Sequence, residues 1–525
     1  MRAPSLLAGA LLFCSACAIA STASAATYYV RNDGGTARQC DGTADAAYAG
    51  SHDRACAWNS PMIALPPQVS GEKPRIQSGD TLVVDAGSYP IGWTREQDCA
   101  VKQAHACVPQ AIPSGSVGHP TRIVGAGWDN GCTAPPQLWG THGAYQLLSL
   151  DGSSHVFIAC LDLSDHSSCT QNYKPDREYS CPHDARGDWA STGLRARDSS
   201  DVTLQDLRIH GLASQGVQAG RIRDWNVTRV KIIGNGRAGW NGDLGGNSHN
   251  SSNDGKLVFT DLEVAWNGCA EDYPDASKII NCFGQNEGGY GDGFSEAWTG
   301  GDYVFIRPNM HDNTQDGLDL RYANGEGSIS VDGGYFARNA GNDLKTMGSA
   351  TITHSVFVAY CSAMKQQGYP AGEDSCRAGG GQFAAMNGAN QTVTFAWNTV
   401  TGESNCLLAG DSGKSEASDT YLIHDNIFLG GPRWNGNGLT CLTWFGDGAY
   451  PEKVVYRDNI IWKVRDGACP RSSVCKDPRL KNETLEAFDP VPRHGSPALR
   501  AGAHAKTRKT VDEARAQPQA TDAVE

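Results

Sequence analysis

The chain has few of the features that mark membrane-embedded, nucleic-acid-binding or helical proteins. The apolar run at residues 6–13 is short, and no later apolar run is long enough to cross a bilayer. Acidic residues outnumber basic ones and give a net charge of −13, which argues against nucleic acid as a partner. Helical periodicity is scarce, whereas 62 glycines and many Asn-Gly and Asp-Gly pairs suit tight corners. The composition therefore favours a β-rich soluble protein without a membrane partner.

Cysteine spacings typical of zinc sites are also missing. Without Cys14 and Cys17, which lie in the N-terminal segment, 16 cysteines remain and form no Cys-x-x-Cys pair. An even number of cysteines in an exported chain predicts disulfides. Chain order suggests local pairs, with the full connectivity left open: Cys99 with Cys107, Cys169 with Cys181, Cys269 with Cys282, Cys361 with Cys376, and Cys469 with Cys475.

The two ends of the chain differ in composition from the middle. Residues 1–25 contain a basic residue, an apolar run and small residues before a cleavage site at Ala26, the pattern of a signal peptide. Residues 26–505 are expected to form one elongated domain, because solenoids grow by adding coils. The polar residues 506–525 are expected to be disordered. We therefore expect a monomeric protein that is secreted or periplasmic.

Segments of eight residues, rich in β-branched and aromatic side chains, recur along the chain, as in Val156–Leu163. Further segments start at Val202, Trp225, Leu257, Tyr303, Ile329, Ala350, Val393, Tyr421 and Val454. The shortest steps between starts are 21 to 26 residues, and two steps of 46 are twice 23. A repeat of this size with Gly and Asn at the corners predicts a stacked β-solenoid. We interpret it as an all-β, right-handed, single-stranded parallel β-helix.

Other local patterns fit the same architecture. The alternative, a β-propeller, needs four antiparallel strands per blade and a longer period. Tyr28–Val30 is predicted to be the first strand, and the amphipathic segment Trp58–Leu65 is predicted to cover the open end of the first coil. Polar side chains recur at one corner of the late repeats and predict hydrogen bonds along the stack rather than chemistry: Ser355, Asn398, Asn426 and Asn459.

The register of the repeats places acidic residues and a lysine on one outer face. Counted from Tyr303 and Ile329, the pair Asp319 and Lys345 shares offset 16. Asp316 and Asn342 likewise share offset 13. Because neighbouring rungs lie about 4.8 Å apart, residues at the same offset become close neighbours.

The long step between Leu257 and Tyr303 is interpreted as hiding a coil that starts near Ile279. This register puts Asp292 and Ser295 in the two columns of Asp316 and Asp319. The inward column between them is then Phe294, Leu318 and Leu344. Three carboxylates and one lysine are therefore predicted to share a groove.

Clustered carboxylates repel one another unless a cation lies among them, and oxygen ligands of this kind suit Ca²⁺. A bound Ca²⁺ can polarise the carboxylate of a uronic acid, so that the neighbouring proton is easier to remove. Lys345 near a divalent cation would lose its own proton more readily and could act as the base. Arg321 lies two residues beyond Asp319 and could bind a second carboxylate. The alternative is that the Asp-Gly pairs are only corners and that Lys345 and Arg321 are ordinary surface charges.

Three motifs carry a resemblance to a known family: residues 291–294 (Gly-Asp-Gly-Phe), 314–320 (Thr-Gln-Asp-Gly-Leu-Asp-Leu) and 341–348 (Gly-Asn-Asp-Leu-Lys-Thr-Met-Gly). In order and spacing they resemble the site of family nine polysaccharide lyases, the pectate-lyase type. The resemblance covers roughly 60 residues, and only the general β-helix pattern extends beyond it.

This resemblance implies a right-handed parallel β-helix of about ten coils. It also implies Ca²⁺ bound by Asp292, Asp316 and Asp319, with Lys345 as the Brønsted base. The family usually has a further aspartate where this chain has Gln315, a departure that removes one charge from the site. The expected function is a secreted, Ca²⁺-dependent lyase that cleaves an acidic, pectate-like polysaccharide by β-elimination.

Two other functions remain open on the sequence. A β-helical glycoside hydrolase acting on pectic polymers would use two or three carboxylates with room for water between them. The Asn-Thr-Asp, Gly-His-Gly and Arg-Ile-Lys motifs of the polygalacturonase type are absent from the chain. A non-catalytic glycan-binding solenoid would bind polymer without turning it over.

Overall fold

The computed structural model describes residues 25–50, 54–93, 101–171, 178–182, 187–244, 252–284, 290–296, 298–320, 326–367, 369, 383–385, 390–410, 419–434, 437–445 and 453–500. The predicted signal peptide, except for its last residue, and the predicted tail lie outside these ranges. Within the ranges, helices are too short or too polar to cross a bilayer.

The chain winds through three parallel sheets, which we call A, B and C in the order in which each coil visits them. Sheet A contains Thr27–Gly35, Thr81–Val84, Thr121–Gly125, parts of Ser154–Asp165, Ala190–His210 and Gln215–Thr228, then Asp254–Thr260, Asp302–Ile306, Ile329–Asp332, Ala350–Thr353, Thr392–Ala396, Thr420–His424 and Lys453–Arg457. Parallel strands of this kind, stacked coil upon coil, form a parallel β-helix, as predicted.

Sheet B contains Ser88–Gly92, Gln137–Thr141, parts of Ser154–Asp165 and Ala190–His210, then Lys231–Ile233, Glu263–Ala265, Asn309–His311, Tyr335–Ala337, Val356–Ala359, Thr399–Ser404, Ile427–Arg433 and Ile460–Trp462. Sheet C contains Ala144–Ser149, parts of Ala190–His210 and Gln215–Thr228, then Trp240–Asn241, Phe294–Ser295, Leu318–Leu320, Leu344–Thr346, Phe383–Ala385, Cys406–Gly410 and Cys441–Trp444. The three longest strands bend around corners and so belong to more than one sheet.

The remaining elements are short and lie outside the three sheets. Two antiparallel hairpins pair Ala270–Asp272 with Asp275–Ile280 and Leu480–Asn482 with Asp489–Pro492. Among the described residues, one α-helix spans Pro61–Ala64. The described 3-10 helices are Gln68–Ser70, Val101–Ala106, Cys361–Gln367, Arg465–Gly467, Leu485–Ala487 and Pro497–Arg500.

The predicted repeat starts all lie in one inward column of sheet A. Val156 pairs with Val202, Leu257 pairs with both Trp225 and Tyr303, and the register continues to Val454 without a shift in this column. From Val156 to Tyr421 these side chains are at most 4% exposed. Three further rungs, starting at Thr27, Thr81 and Thr121, precede them. The predicted first strand at Tyr28–Val30 is among these rungs.

The interpretation of a hidden coil near Ile279 is wrong. Ile279 and Ile280 belong to an antiparallel hairpin, in which they pair with Glu271 and Ala270. The strand Asp254–Thr260 pairs directly with Asp302–Ile306, so no rung lies between them. The apolar segment at 279 therefore belongs to an insertion within one coil, where an apolar β pattern serves a hairpin instead of a rung.

Asparagine ladders run along two corners of the coil. At the predicted corner, Asn398 Oδ1 accepts from the backbone N–H of Ser355 at 2.8 Å, and the pattern continues to Asn426 and Asn459. A second ladder, not predicted, joins Asn235, Asn267, Asn313 and Asn339 between sheets B and C. Each amide satisfies backbone groups that the corner would otherwise leave buried without partners.

Both ends of the described solenoid carry covering segments. In the predicted N-terminal cover, Trp58 stacks on Tyr28 with ring centroids 5.2 Å apart, and Met62 is buried in the core that contains Val30. Near the other end, the segment after residue 478 packs on the outer face of sheet B. There Leu480 and Phe488 join an apolar cluster with strand residues of that sheet.

Disulfides join several of the predicted cysteine pairs. The described bonds are Cys40–Cys56, Cys132–Cys160, Cys169–Cys181, Cys269–Cys282, Cys406–Cys441 and Cys469–Cys475. Three of them, at 169, 269 and 469, are confirmed predictions. Cys107 and Cys361 are also disulfide-bonded, and their predicted partners Cys99 and Cys376 lie outside the described residues. The insertion hairpin is thus closed at its base by Cys269–Cys282.

Candidate active site

The candidate site lies on the outer face of sheet C, where three consecutive rungs bring the predicted residues together. Phe294 pairs with Leu318, and Leu318 with Leu344, and all three side chains are fully buried. Because side chains alternate along a strand, the next residues point outward. These are Ser295, Asp319 and Lys345, which pair in the same register. The predicted inward column of Phe294, Leu318 and Leu344 and the predicted outward column of Ser295, Asp319 and Lys345 are both confirmed. The separate coil that was predicted to start near Ile279 and to lead into them does not exist.

Two aspartates at the corner before sheet C link each rung to the next. Asp292 Oδ1 accepts a hydrogen bond from the backbone N–H of Asp316 at 3.1 Å. Asp316 Oδ1 accepts one from the backbone N–H of Asn342 at 2.6 Å. A Cβ on Gly341 would lie 2.2 Å from that same Asp316 oxygen. The corner therefore requires glycine at 341 if the Asp316 carboxylate is to keep its position.

The amine of Lys345 meets this acidic cluster. Its Nζ donates to Asp316 Oδ2 and lies 3.6 Å from Asp319 Oδ2. The Lys345 side chain is 15% exposed, and those of Asp316 and Asp319 are 8% and 10% exposed. The base candidate and two of the acidic candidates are thus in direct contact in a largely water-excluded place.

Charges within the cluster shift the protonation of two of its members. Burial raises the pKa of Asp292 well above its usual range, and the negative charges of Asp316 and Asp319 raise it further. Burial alone would lower the pKa of Lys345, but Asp316 and Asp319 stabilise the ammonium and raise it instead. With only these residues present, Lys345 therefore serves as the counter-ion of the carboxylates.

The donor set fits a hard divalent cation. One carboxylate oxygen from each of Asp292, Asp316 and Asp319 lies within 4.8 Å of the others. In the same column as Asp316, the buried side-chain Oδ1 of Asn342 has no hydrogen-bond partner among the described residues. Crowded, oxygen-only donors with excess negative charge are the environment that Ca²⁺ prefers over softer metals.

The second asparagine ladder supports the corner from inside. Asn313 donates to Asn339 Oδ1 at 2.9 Å, and Asn339 donates to Asp343 Oδ1 at 2.9 Å. Sequence reasoning missed this ladder, although its members all follow a repeat start by ten residues. The ladder fixes the corner just before the strands that carry Asp319 and Lys345.

Other predicted or considered residues are placed differently. Arg321 lies outside the described residues, so its predicted role in substrate binding stays a prediction. Glu296 points inward, as alternation predicts, and its Oε2 accepts from Asn253 Nδ2 at 3.0 Å. Burial raises its pKa well above the usual range. Glu296 therefore lies on the inner side of the coil wall, and the acidic cluster lies on its outer face.

Comparisons with known proteins return structures only. No family model and no curated protein sequence matches the chain. A pectate lyase, Pel9A, is 12% identical with a TM-score of 0.40 over 88% of this chain and 84% of its own. An alginate lyase from Paenibacillus sp. str. FPU-7 is 15% identical with a TM-score of 0.37 over 74% and 96%.

A rhamnogalacturonan lyase is 11% identical with a TM-score of 0.40 over 91% of this chain and 99% of its own. Identities and TM-scores this low carry no information about chemistry. Only the residues of the site therefore bear on the function of this chain.

Proposed function

We propose that the chain is a Ca²⁺-dependent polysaccharide lyase that cleaves a uronate-containing, pectate-like polymer by β-elimination. The observation that carries this proposal is the contact of the Lys345 amine with Asp316 and Asp319, beside Asp292, on the outward face of consecutive rungs. β-Elimination from a charged polymer requires a base next to a bound cation, on a protein surface long enough to bind several sugars.

In the proposed reaction, Lys345 takes the proton on the carbon next to the uronate carboxylate. The electron pair of that C–H bond forms a carbon–carbon double bond, and the glycosidic C–O bond on the neighbouring carbon breaks. The departing oxygen then takes a proton, so that one product has a new hydroxyl and the other an unsaturated end. Bound Ca²⁺ would hold the uronate carboxylate, acidify the neighbouring proton and favour the neutral form of Lys345.

The carboxylates would have two roles before and during this step. Asp292, Asp316 and Asp319 would hold the cation, as the resemblance to family nine polysaccharide lyases implies. Asp316 and Asp319 also fix the Lys345 side chain, which limits its rotation and keeps the amine beside Asp292. Gln315 in place of an acidic residue leaves the site with one negative charge fewer than that family usually has.

The proposal also covers the compartment, the domain and the oligomeric state of the enzyme. The six described disulfides suit an oxidising compartment, which supports an exported protein, periplasmic or secreted. Residues 26–505 would form one catalytic domain that works as a monomer. Its partner would be the acidic polysaccharide alone.

The deciding experiment is a panel of polyuronates followed by ultraviolet absorbance, with and without a chelator. Polygalacturonate is tested first, then rhamnogalacturonan and alginate. Elimination gives an absorbing unsaturated end in the presence of Ca²⁺ and none after chelation. New reducing ends without absorbance would show hydrolysis instead, and binding without any cleavage would show a glycan-binding solenoid.

A further inference from the structure

A buried carboxylate lies at the start of the solenoid, far from the acidic cluster of sheet C. Asp80 directly precedes the strand Thr81–Val84 and is 5% exposed. Its Oδ1 accepts a hydrogen bond from the backbone N–H of Ala26 at 2.8 Å, and its Oδ2 accepts one from the backbone N–H of Gln77 at 2.7 Å. Both donors are neutral amides, and no ion pair in the described part of the chain includes Asp80.

The charge of Asp80 therefore lacks a compensating cation. A buried carboxylate is costly unless it is paired with a cation, and hydrogen bonds from neutral amides offset only part of that cost. The negative charge also acts on the first strand. Burial raises the pKa of Tyr28, and Asp80 raises it further. A positive charge placed against Asp80 would relieve both effects.

The predicted signal-peptide cleavage would create a positive charge at this place. Residues 23–25 have the pattern of a cleavage site before Ala26, and Ala25 is exposed. Hydrolysis of the Ala25–Ala26 peptide bond consumes one water and leaves a carboxylate on Ala25 and an amine on Ala26. An α-amino group ordinarily has a pKa of about 7.7–8.0, so this amine is mostly an ammonium at pH 7. The nitrogen that becomes charged is the one that already contacts Asp80 Oδ1.

Hydrogen bonds to the second rung hold Ala26 in place without help from the residues before it. The carbonyl of Ala26 accepts from the backbone N–H of Thr81 at 2.8 Å, and Thr27 pairs with Thr81 in the parallel register of sheet A. The nitrogen of Ala26 is thus fixed beside Asp80 by the strand pairing itself. Cleavage one residue earlier or later would put the new charge at a different position.

We infer that Asp80 is the binding site of the mature N-terminus, where the α-ammonium of Ala26 forms an ion pair that fastens the first rung to the second. The inference rests on the predicted cleavage before Ala26 and is independent of the proposed function. A chain that keeps its leader has only a neutral amide at this position. Removal of the leader therefore stabilises the end of the solenoid that the segment Trp58–Leu65 covers.

Hydrogen exchange tests the pair with matched chain ends. Chains that begin at Ala26 or at Ala25 are released from a cleavable N-terminal fusion, each with Asp80 and with Asp80→Asn. With Asp80 present, the strand Thr27–Gly35 should exchange roughly tenfold more slowly in the chain that begins at Ala26. The strand Thr392–Ala396 is the internal control and should not change. A difference below twofold overturns the inference, and so does an equal difference in Asp80→Asn, which would show a steric effect of the extra residue.

Two further measurements need no Asp80 variant. Acylation of the α-amine at pH 7 should be roughly tenfold slower in the chain that begins at Ala26 than in the chain that begins at Ala25, because only the neutral amine reacts and the carboxylate stabilises the ammonium. Equal acylation rates overturn the inference. The mass of the exported protein should correspond to a first residue of Ala26, and a different first residue also overturns it. Neither measurement depends on lyase activity.

Discussion

Replacing Lys345 by methionine separates the base from the cation-binding residues. The substitution keeps the length and apolar stem of the side chain but removes the ammonium that contacts Asp316 and Asp319. At 3.6 Å from Asp319 and an effective dielectric constant of about 20, one such contact amounts to about 5 kcal/mol before desolvation is subtracted. The carboxylates of Lys345→Met are therefore left without their counter-ion.

Three effects should follow: the rate and the stability should fall, and the affinity for Ca²⁺ should rise. Loss of a positioned base lowers kcat by roughly 10²- to 10⁴-fold. Breaking a largely buried ion pair lowers the free energy of unfolding of the metal-free protein by about 3–5 kcal/mol. Ca²⁺ affinity, in contrast, should rise, since the ammonium no longer repels the cation. At 100 times the dissociation constant, Ca²⁺ should return about 2.7 kcal/mol of stability.

The assays are initial rates by ultraviolet absorbance, Ca²⁺ titration by calorimetry, and thermal unfolding with and without Ca²⁺. Lys345→Arg keeps the charge but cannot act as a base near neutral pH, so it should be inactive and more stable than Lys345→Met. Lys463→Met, at an exposed ion pair with Glu483, is the matched control and should behave as wild type. A Lys345→Met protein that retains kcat within threefold of wild type would refute the assignment of the base.

Two further predictions concern Gly341 beside the acidic cluster and His210 beside the insertion hairpin. In Gly341→Ala, the new Cβ would meet the Asp316 carboxylate, so Ca²⁺ affinity should fall at least about tenfold, a loss that a titration detects, with about 1–3 kcal/mol lost in unfolding. Burial opposes the charged form of His210, but its bonds to Asp162 and Glu271 outweigh burial and raise its pKa to about 9. The resulting stability, on the order of 3 kcal/mol, should be present below pH 6.5 and disappear as the pH rises toward 9. His210→Gln should flatten that pH dependence of the melting temperature, and an unchanged slope would contradict the ion-pair account.

The sequence pattern correctly predicted which residues share a column of the stacked strands. It wrongly predicted a strand of the solenoid within the insertion at Ile279. Every predicted repeat start lies in one inward column, because a rung must place an apolar residue at the same offset to fill the interior. The same logic misplaced a rung at Ile279, since β-branched residues also favour an antiparallel hairpin closed by a disulfide. Composition reports the tendency to form a strand, and only the pairing partner distinguishes a rung from a hairpin.

By itself, the sequence determined that the solenoid stacks Asp319 beside Lys345 and Asp292 near Asp316, because a repeat converts spacing along the chain into adjacency across rungs. The tertiary structure alone decided which carboxylates hold the amine and why its pKa rises. These last features depend on distances of a few ångströms between side chains from different coils. Such distances are set by packing and burial, which a repeat period does not specify.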